Sequence, residues 1–289
     1  MRPLHNTTGA IVGLEGYKDM KTRLITAAIG IPALLVVVLL LPNWVTAWML
    51  AIMCAVGAYE LLYRTEYVRH MRLVIYSCAA AFLTPLLSHY FVSDAWSLMV
   101  SLVFVSLLFM EVLLAHTKVR LEAVTICVLA GLIIPGALSS LIRILDMELG
   151  RYLILLPFVL AFMPDTGGYF VGRFFGKHRL APVISPNKTV EGAIGGVVTG
   201  LMFTILYVSV IRVGFNMEVD YIFSVIYGFV GSAAAVFGDL CLSAVKRQAG
   251  IKDYGNLLPG HGGVLDRFDS VIFVAPLTEA LLDIIPLLG

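Results

Sequence analysis

Charged side chains are scarce in this chain of 289 residues. Asp, Glu, Lys and Arg make up 13% of it and hydrophobic residues 60%, whereas a soluble domain carries about 25% charged residues. So few charges cannot cover that much apolar surface in water, so the composition excludes a soluble globular protein and a disordered chain. The net charge of +1 provides no basic field, and no nucleic-acid partner is expected.

Cysteine is also rare. The chain has four cysteines, Cys54, Cys78, Cys127 and Cys241, and all fall within apolar stretches. No CxxC pair and no Cys/His metal spacing occurs, so these side chains are interpreted as small packing residues.

Long apolar runs dominate what is present. A helix that crosses a membrane needs about 20 mainly apolar residues. By that measure the sequence predicts an all-α, polytopic integral membrane protein with about nine transmembrane helices. The predicted spans are approximately 24–41, 43–63, 73–92, 95–115, 121–145, 151–172, 191–211, 221–245 and 269–288.

The positions of Lys and Arg predict the orientation, because basic residues accumulate in cytoplasmic loops. With the N-terminus inside and the C-terminus outside, all 20 Lys and Arg residues except Arg143, Arg151 and Arg212 lie on the inner side. The expected location is therefore the cell (inner or plasma) membrane.

Three regions follow from this assignment. Residues 1–19 are polar and are interpreted as a short N-terminal extension, either a disordered tail or the result of a true start at Met20. Residues 20–150 hold about five transmembrane helices. Residues 151–289 form the expected catalytic region, and its long cytoplasmic loops are predicted at 173–190 and 246–268.

Two acidic residues lie inside predicted spans, although an Asp at the bilayer centre costs about 2.5–3.5 kcal/mol on insertion scales. Asp165 and Asp239 each sit in a polar, Gly-rich run and are candidate functional residues. Pro164 is expected to bend its helix and to place Asp165 beside a buried, hydrated cavity. The remaining intramembrane acids are interpreted as helix-end residues or local hydrogen-bond partners: Glu60, Glu111, Glu279 and Asp283.

Glycines follow the first of these acids at intervals of four. Gly168, Gly172 and Gly176 allow close helix packing, either within one chain or across a homodimer.

The next helix is expected to begin with a cap. Asn187 or Thr189 can cap it, its free N–H groups and dipole favour an anion, and Lys188 adds a mobile cation. Taken alone, the same residues are also typical of an ordinary capped helix beside a cytoplasmic lysine.

Asp239, Ser243 and Lys246 stand at i, i+4 and i+7 and therefore share one helical face. An acid at membrane depth, with a hydroxyl and an ammonium group below it, is typical of an ion and phosphate site. Further along, glycines around His261 permit amide concavities for anions. Asp266 and Asp269, at i and i+3, are expected to share a face at the head of the final helix.

Separated carboxylates, several basic residues and a Gly-rich loop suit metal-assisted phosphoryl or nucleotidyl transfer. Oxygen ligands suit Mg²⁺, and positive side chains would spread the charge that develops on phosphates. The residues alone indicate a phosphate-handling membrane enzyme and leave the nucleotide open.

These segments resemble the integral-membrane phosphatidate cytidylyltransferases, also called CDP-diacylglycerol synthases. The resemblance covers about 163–275. It is carried by Ser243-Ala-Val-Lys246-Arg247, Lys252-Asp253, His261-Gly262-Gly263-Val264-Leu265-Asp266-Arg267-Phe268-Asp269, and the upstream blocks Asp165-Thr166-Gly167 and Ser185-Pro186-Asn187-Lys188-Thr189.

The resemblance implies that CTP and phosphatidate give CDP-diacylglycerol and pyrophosphate at the cytoplasmic face of the lipid bilayer. It implies Mg²⁺ and, as a second cation, a monovalent ion such as K⁺. The implied metal ligands are Asp239 and Asp266 with Asp165 nearby, and Lys246 joins them in the catalytic set. The implied substrate-binding residues are Ser185, Lys188, Thr189, Ser243, Arg247, Lys252, His261, Gly262, Gly263 and Arg267.

One position departs from the family pattern. Leu242 stands where many relatives carry Glu, one step off the Asp239–Ser243–Lys246 face. We expect altered contacts around the site rather than lost chemistry.

Two other classes of function fit the same residues. One is a CTP-dependent lipid kinase or a cytidylyltransferase for another lipid phosphate. The other is an ion or phosphate transporter, which the lack of an internal repeat in the predicted spans disfavours.

Overall fold

The computed structural model of the chain describes residues 28, 30, 32–91, 94–115, 117–257 and 262–288. The predicted extension 1–19 and His261 lie outside the described residues, as does the start of the predicted span 24–41. Residues 32–40 are helical and form α1.

The remaining elements follow the apolar runs, because a helix satisfies its own backbone hydrogen bonds and can therefore enter a bilayer. They are α2 (Asn43–Arg64), α3 (Met71–Tyr90), α4 (Asp94–Leu114), α5 (Leu121–Val128), a π-helical turn (Leu129–Ile133), α6 (Ile134–Leu138), α7 (Ser140–Asp146), α8 (Gly150–Leu153), α9 (Leu156–Phe175), β1 (Arg179–Ala181), β2 (Ser185–Thr189), α10 (Val190–Phe215), α11 (Tyr221–Gln248), α12 (Leu265–Phe268) and α13 (Val271–Ile284).

Seven stretches of the described residues are long and apolar enough to cross a membrane. The predicted all-α, polytopic membrane architecture is therefore confirmed, while the count of nine spans and the inside location of the N-terminus stay predictions. The final predicted span, 269–288, differs in the structure. Its helix α13 has 14 residues and is about 21 Å long at 1.5 Å per residue, short of the roughly 30 Å of a hydrocarbon core.

Both predicted cytoplasmic loops are shorter than expected, because the flanking helices continue into them. α9 runs to Phe175, and the connection to α10 contains a small antiparallel hairpin in which Arg179 pairs with Thr189 and Ala181 with Ser185. This hairpin is the one departure from an all-helical chain among the named elements. α11 runs to Gln248 and so carries Lys246 in its last turn.

Glycines bring α9 and α10 into close contact, which confirms the predicted close helix packing and places it within one chain. A Cβ atom at Gly168 would lie 3.3 Å from the carbonyl oxygen of Gly192, and one at Gly196 would lie 2.6 Å from that of Pro164. α9 is unbroken through Pro164, and Asp165 is exposed. The buried, hydrated cavity beside Asp165 stays a prediction.

α13 joins the two halves of the fold, since it packs against α6 and α7 on one side and α9 and α11 on the other. An ion pair strengthens this junction: Arg143 of α7 donates to both carboxylate oxygens of Glu279, at 2.5 and 2.9 Å. Glu279 is thus a long-range partner, and its interpretation as a local one is wrong. In the surrounding core, Cys54 and Cys127 are buried, as expected of packing residues.

Candidate functional site

Polar side chains of α9, β2 and α11 converge near the segment that leads into α12. At the centre, Ser243 donates a hydrogen bond of 3.2 Å to Asp239 Oδ1, which confirms that these two residues share a helical face. The other oxygen of Asp239 pairs with the ammonium group of Lys188. Side-chain exposures of 26% for Lys188 and 20% for Asp239 leave this pair open to a ligand.

β2 and the start of α10 place Lys188. The backbone N–H of Gly192 donates to Thr189 Oγ1 at 3.1 Å, so Thr189 is the N-cap of α10, as the sequence predicted. Because Lys188 directly precedes the cap, its cation stands near a helix N-terminus, whose amide dipoles also favour negative charge.

Lys246 makes a separate ion pair. Its Nζ donates to Asp266 Oδ1 at 3.0 Å and lies 3.7 Å from Asp269 Oδ2. The prediction that Asp266 and Asp269 share a face is confirmed, because both meet the same ammonium group. The side chains of Lys246 and Asp266 are only 10% and 2% exposed, so this pair is much less open than that of Lys188.

Asp266 organises the loop before α12. Its Oδ2 accepts hydrogen bonds from the backbone N–H groups of Tyr254, at 2.8 Å, and Gly263, at 3.0 Å. The Tyr254 hydroxyl donates to the carbonyl oxygen of Leu242 at 3.0 Å. Burial raises the pKa of that hydroxyl well above its usual range and keeps it protonated.

A buried acid from the N-terminal half also reaches this loop. Glu60 of α2 accepts hydrogen bonds from the backbone N–H groups of Val264, at 3.1 Å, and Leu265, at 3.0 Å. The interpretation of Glu60 as a helix-end or local partner is therefore wrong, since its partners lie about 200 residues away.

The other predicted substrate residues that the structure describes have separate environments. Arg247 donates to backbone carbonyl oxygens of both polar loops, at Ile184 (3.1 Å) and Ile251 (3.2 Å). Ser185 is half-buried in β2, whereas Lys252 and Arg267 are exposed. Gly262 has φ +83°, a conformation that favours glycine and turns the chain back toward Asp266.

Asp165 belongs to the same electrostatic cluster. Its carboxylate interacts with the charges of Asp239, Asp269, Lys188 and Arg267. Asp165, Asp239 and Asp269 therefore lie close enough for their charges to act on one another.

The acidic side chains of this cluster offer oxygen donors for the implied Mg²⁺. Carboxylate oxygens suit Mg²⁺, and Asp239 with Asp165 and Asp269 fits it on that ground. Asp266 fits less well, because its side chain is only 2% exposed, whereas that of Asp239 is 20% exposed. In the described part of the chain, no three His, Cys, Asp or Glu side chains meet as a preformed metal-binding group.

Sequence reasoning left three residues of this region out of the candidate site. Asp269 faces Lys246, Tyr254 stacks under the same ammonium group at 5.4 Å from ring centre to Nζ, and Glu60 holds the loop. Asp269 carried a usable signal, its spacing from Asp266. Glu60 carried a weaker one, an acid inside an apolar span.

The chain is similar in sequence to known proteins. The family model described as "Cytidylyltransferase family" matches residues 21–285. A protein of Staphylococcus haemolyticus (strain JCSC1435) named phosphatidate cytidylyltransferase is 45% identical over 133 residues, which are 46% of this chain and 50% of that protein. A protein of the same name from Staphylococcus aureus (strain COL) is 47% identical over 133 residues, with the same coverage.

The chain therefore spans about half the length of the curated relatives it matches. The family model extends over nearly the whole chain, including every described element of the site. On this evidence the chain belongs to the cytidylyltransferase family.

Proposed function

We propose that the protein is a phosphatidate cytidylyltransferase, which converts CTP and phosphatidate to CDP-diacylglycerol and pyrophosphate. The main support for this proposal is the partly exposed Lys188–Asp239 pair. This pair lies where apolar helices meet polar loops. The family and the names of the relatives support the same activity.

The reaction joins a phosphate oxygen of phosphatidate to the α-phosphorus of CTP. The bond between that phosphorus and the oxygen bridging to the β-phosphate breaks, and pyrophosphate leaves with the electron pair. The site must therefore bring two anionic reactants together and stabilise the charge on the leaving group.

Lys188 is suited to bind the phosphates of CTP. Its ammonium group pairs with Asp239 in an accessible position, beside the capped N-terminus of α10. A phosphate that enters here replaces the carboxylate of Asp239 as the ion-pair partner of the Lys188 ammonium group. The Asp239 carboxylate is then released, while Ser243 still orients it through Oδ1.

The exposed Lys252 and Arg267 provide further cations at the polar end of the site. They can meet the headgroup of phosphatidate, while its acyl chains remain among the apolar helices in the bilayer. This arrangement supports a reaction at the membrane interface, and the distribution of Lys and Arg supports the cytoplasmic side of the cell membrane.

We propose Asp239, Asp165 and Asp269 as oxygen donors for Mg²⁺, which when bound would neutralise charge on the reacting phosphates. A monovalent cation such as K⁺ is proposed for the same acidic cluster. The residues of the chain bind the two substrates, orient Asp239 and hold the loop before α12.

The test uses purified protein in detergent with Mg²⁺, phosphatidate and CTP labelled on either the α- or the γ-phosphorus. We expect lipid-soluble label from α-labelled CTP alone, together with pyrophosphate. Label in the lipid from γ-labelled CTP would refute the proposal and identify a lipid kinase. Ion or phosphate flux into liposomes without nucleotide turnover would identify a transporter instead.

Paired variants connect this activity to the site. Lys188→Met should abolish most of the label transfer, whereas Lys118→Met, at an exposed cytoplasmic position, should leave it intact. Equal activity in the two variants would contradict the assignment of CTP binding to Lys188.

A further inference from the structure

A carboxylate from the N-terminal half of the chain lies inside the loop that carries the family motif. Glu60 is 5% exposed, and each of its oxygens accepts one backbone N–H, from Val264 and from Leu265. These two amides open α12, which carries Asp266 and Arg267.

Two glycines of the loop make room for this contact. A Cβ atom at Gly263 would lie 2.5 Å from Glu60 Oε2. One at Gly255 would overlap Glu60 Oε1, and the three nearest atoms it would meet all belong to Glu60. The loop therefore closes around this carboxylate from two sides.

The contact has a direct consequence for the polar site. Asp266 accepts from the N–H of Gly263, the residue next to the first amide that Glu60 holds. Glu60 and Asp266 thus bind successive amides of one short turn, and Asp266 in turn pairs with Lys246. Movement of the turn would displace Asp266 and Lys246 together.

We infer that Glu60 is a positioning residue for the reaction, which fixes the turn 262–265 and through it the Asp266–Lys246 pair. This inference rests on the proposed function only for its effect on turnover. It gives the N-terminal helices a role in assembling the site, although the sequence shows no motif in them.

The first test is Glu60→Gln, which keeps the volume but leaves one amide facing an NH₂ group. We expect kcat to fall by up to about 10²-fold, the scale of a 1 Å displacement in an active site. The KM for CTP should change little, because Glu60 binds the amides of Val264 and Leu265 and not the lysine assigned to CTP. Glu122→Gln, at an exposed position, is the control and should keep wild-type kcat.

A double-mutant cycle separates positioning from general instability. Gly255→Ala alone should lower kcat, because its methyl group collides with Glu60. In a Glu60→Ala background the same change should have almost no further effect, since the colliding atoms are gone. Gly136→Ala is the matched control, because a Cβ there meets nothing within 4 Å.

A readout that is independent of catalysis is the hydrogen exchange of peptides that cover 262–268. Exchange at the amides of Val264 and Leu265 should accelerate in Glu60→Gln far more than exchange in helices remote from this loop. Unchanged exchange, or a Gly255→Ala effect that is the same in both backgrounds, would overturn the inference. An inactive wild-type protein would refute the proposed function, and the exchange result would still decide the role of Glu60.

Discussion

The two lysine–aspartate pairs of the site should respond differently when the lysine is replaced by Met. Lys246 and Asp266 are 10% and 2% exposed, whereas Lys188 and Asp239 are 26% and 20% exposed. Removal of Lys246 leaves a buried carboxylate without its cation. Removal of Lys188 leaves one that water can reach.

The magnitudes follow from burial. Loss of one partner from a buried ion pair costs about 3–5 kcal/mol, while an accessible pair contributes at most about 1 kcal/mol. A change of 1 kcal/mol moves Tm by about 2–4 °C in a chain of roughly this size. Lys246→Met should therefore lower Tm by roughly 6–20 °C, and Lys188→Met by no more than about 4 °C.

Turnover should show the opposite contrast. Relative to its small loss of Tm, Lys188→Met should lose more activity than Lys246→Met. Lys188→Met removes a contact to the reacting phosphates and should reduce the rate by about 10²–10³, the cost of losing one donor that acts in the transition state. Lys246→Met should also lose activity, but through displacement of Asp266. Adding Asp266→Asn to Lys246→Met should recover part of the lost Tm, because a neutral amide oxygen can still accept from Tyr254 and Gly263.

The assay is thermal unfolding in one detergent, followed by tryptophan fluorescence, together with nucleotidyl transfer at saturating CTP. A Tm for Lys246→Met within about 2 °C of wild type would refute the argument from burial. So would a double variant that is no more stable than Lys246→Met alone.

Three further results are expected. Asp239→Asn should abolish turnover with little change in Tm, and activity like that of the wild type would remove Asp239 from the reaction. A cysteine introduced at Asn256, which is exposed, should react with a membrane-impermeant maleimide only from the cytoplasmic side, and labelling of intact cells from outside would reverse the orientation. Gly196→Val should lower Tm, because a Cβ at this position would lie 2.6 Å from the Pro164 carbonyl oxygen. Gly214→Val should not lower it, because a Cβ there meets nothing within 4 Å. Equal Tm values for the two variants would contradict the packing of α9 on α10.

Local features of the site followed correctly from spacing. The cap at Thr189 and the hydrogen bond from Ser243 to Asp239 both join residues within one helical turn, where geometry is fixed by the helix itself. The shared face of Asp266 and Asp269 has the same origin.

Contacts between distant segments did not follow. Lys246 lies on the face of α11 that carries Asp239, as predicted, but its ion-pair partner is Asp266, and Lys188 pairs with Asp239. Glu60 and Glu279 were given local partners, yet each binds a segment far along the chain. These pairings depend on how helices cross, and the period of one helix carries no information about its neighbour.

The sequence by itself determined the membrane architecture, because scarce charge and long apolar runs allow no other way to satisfy the backbone. It also singled out candidate residues for the chemistry, since an acid inside an apolar run is costly. Only the tertiary structure decided which lysine meets which aspartate and brought Glu60 to the loop before α12. Those contacts arise where glycine-lined helices approach closely and a loop folds back on them, and their geometry depends on the packing of the whole chain.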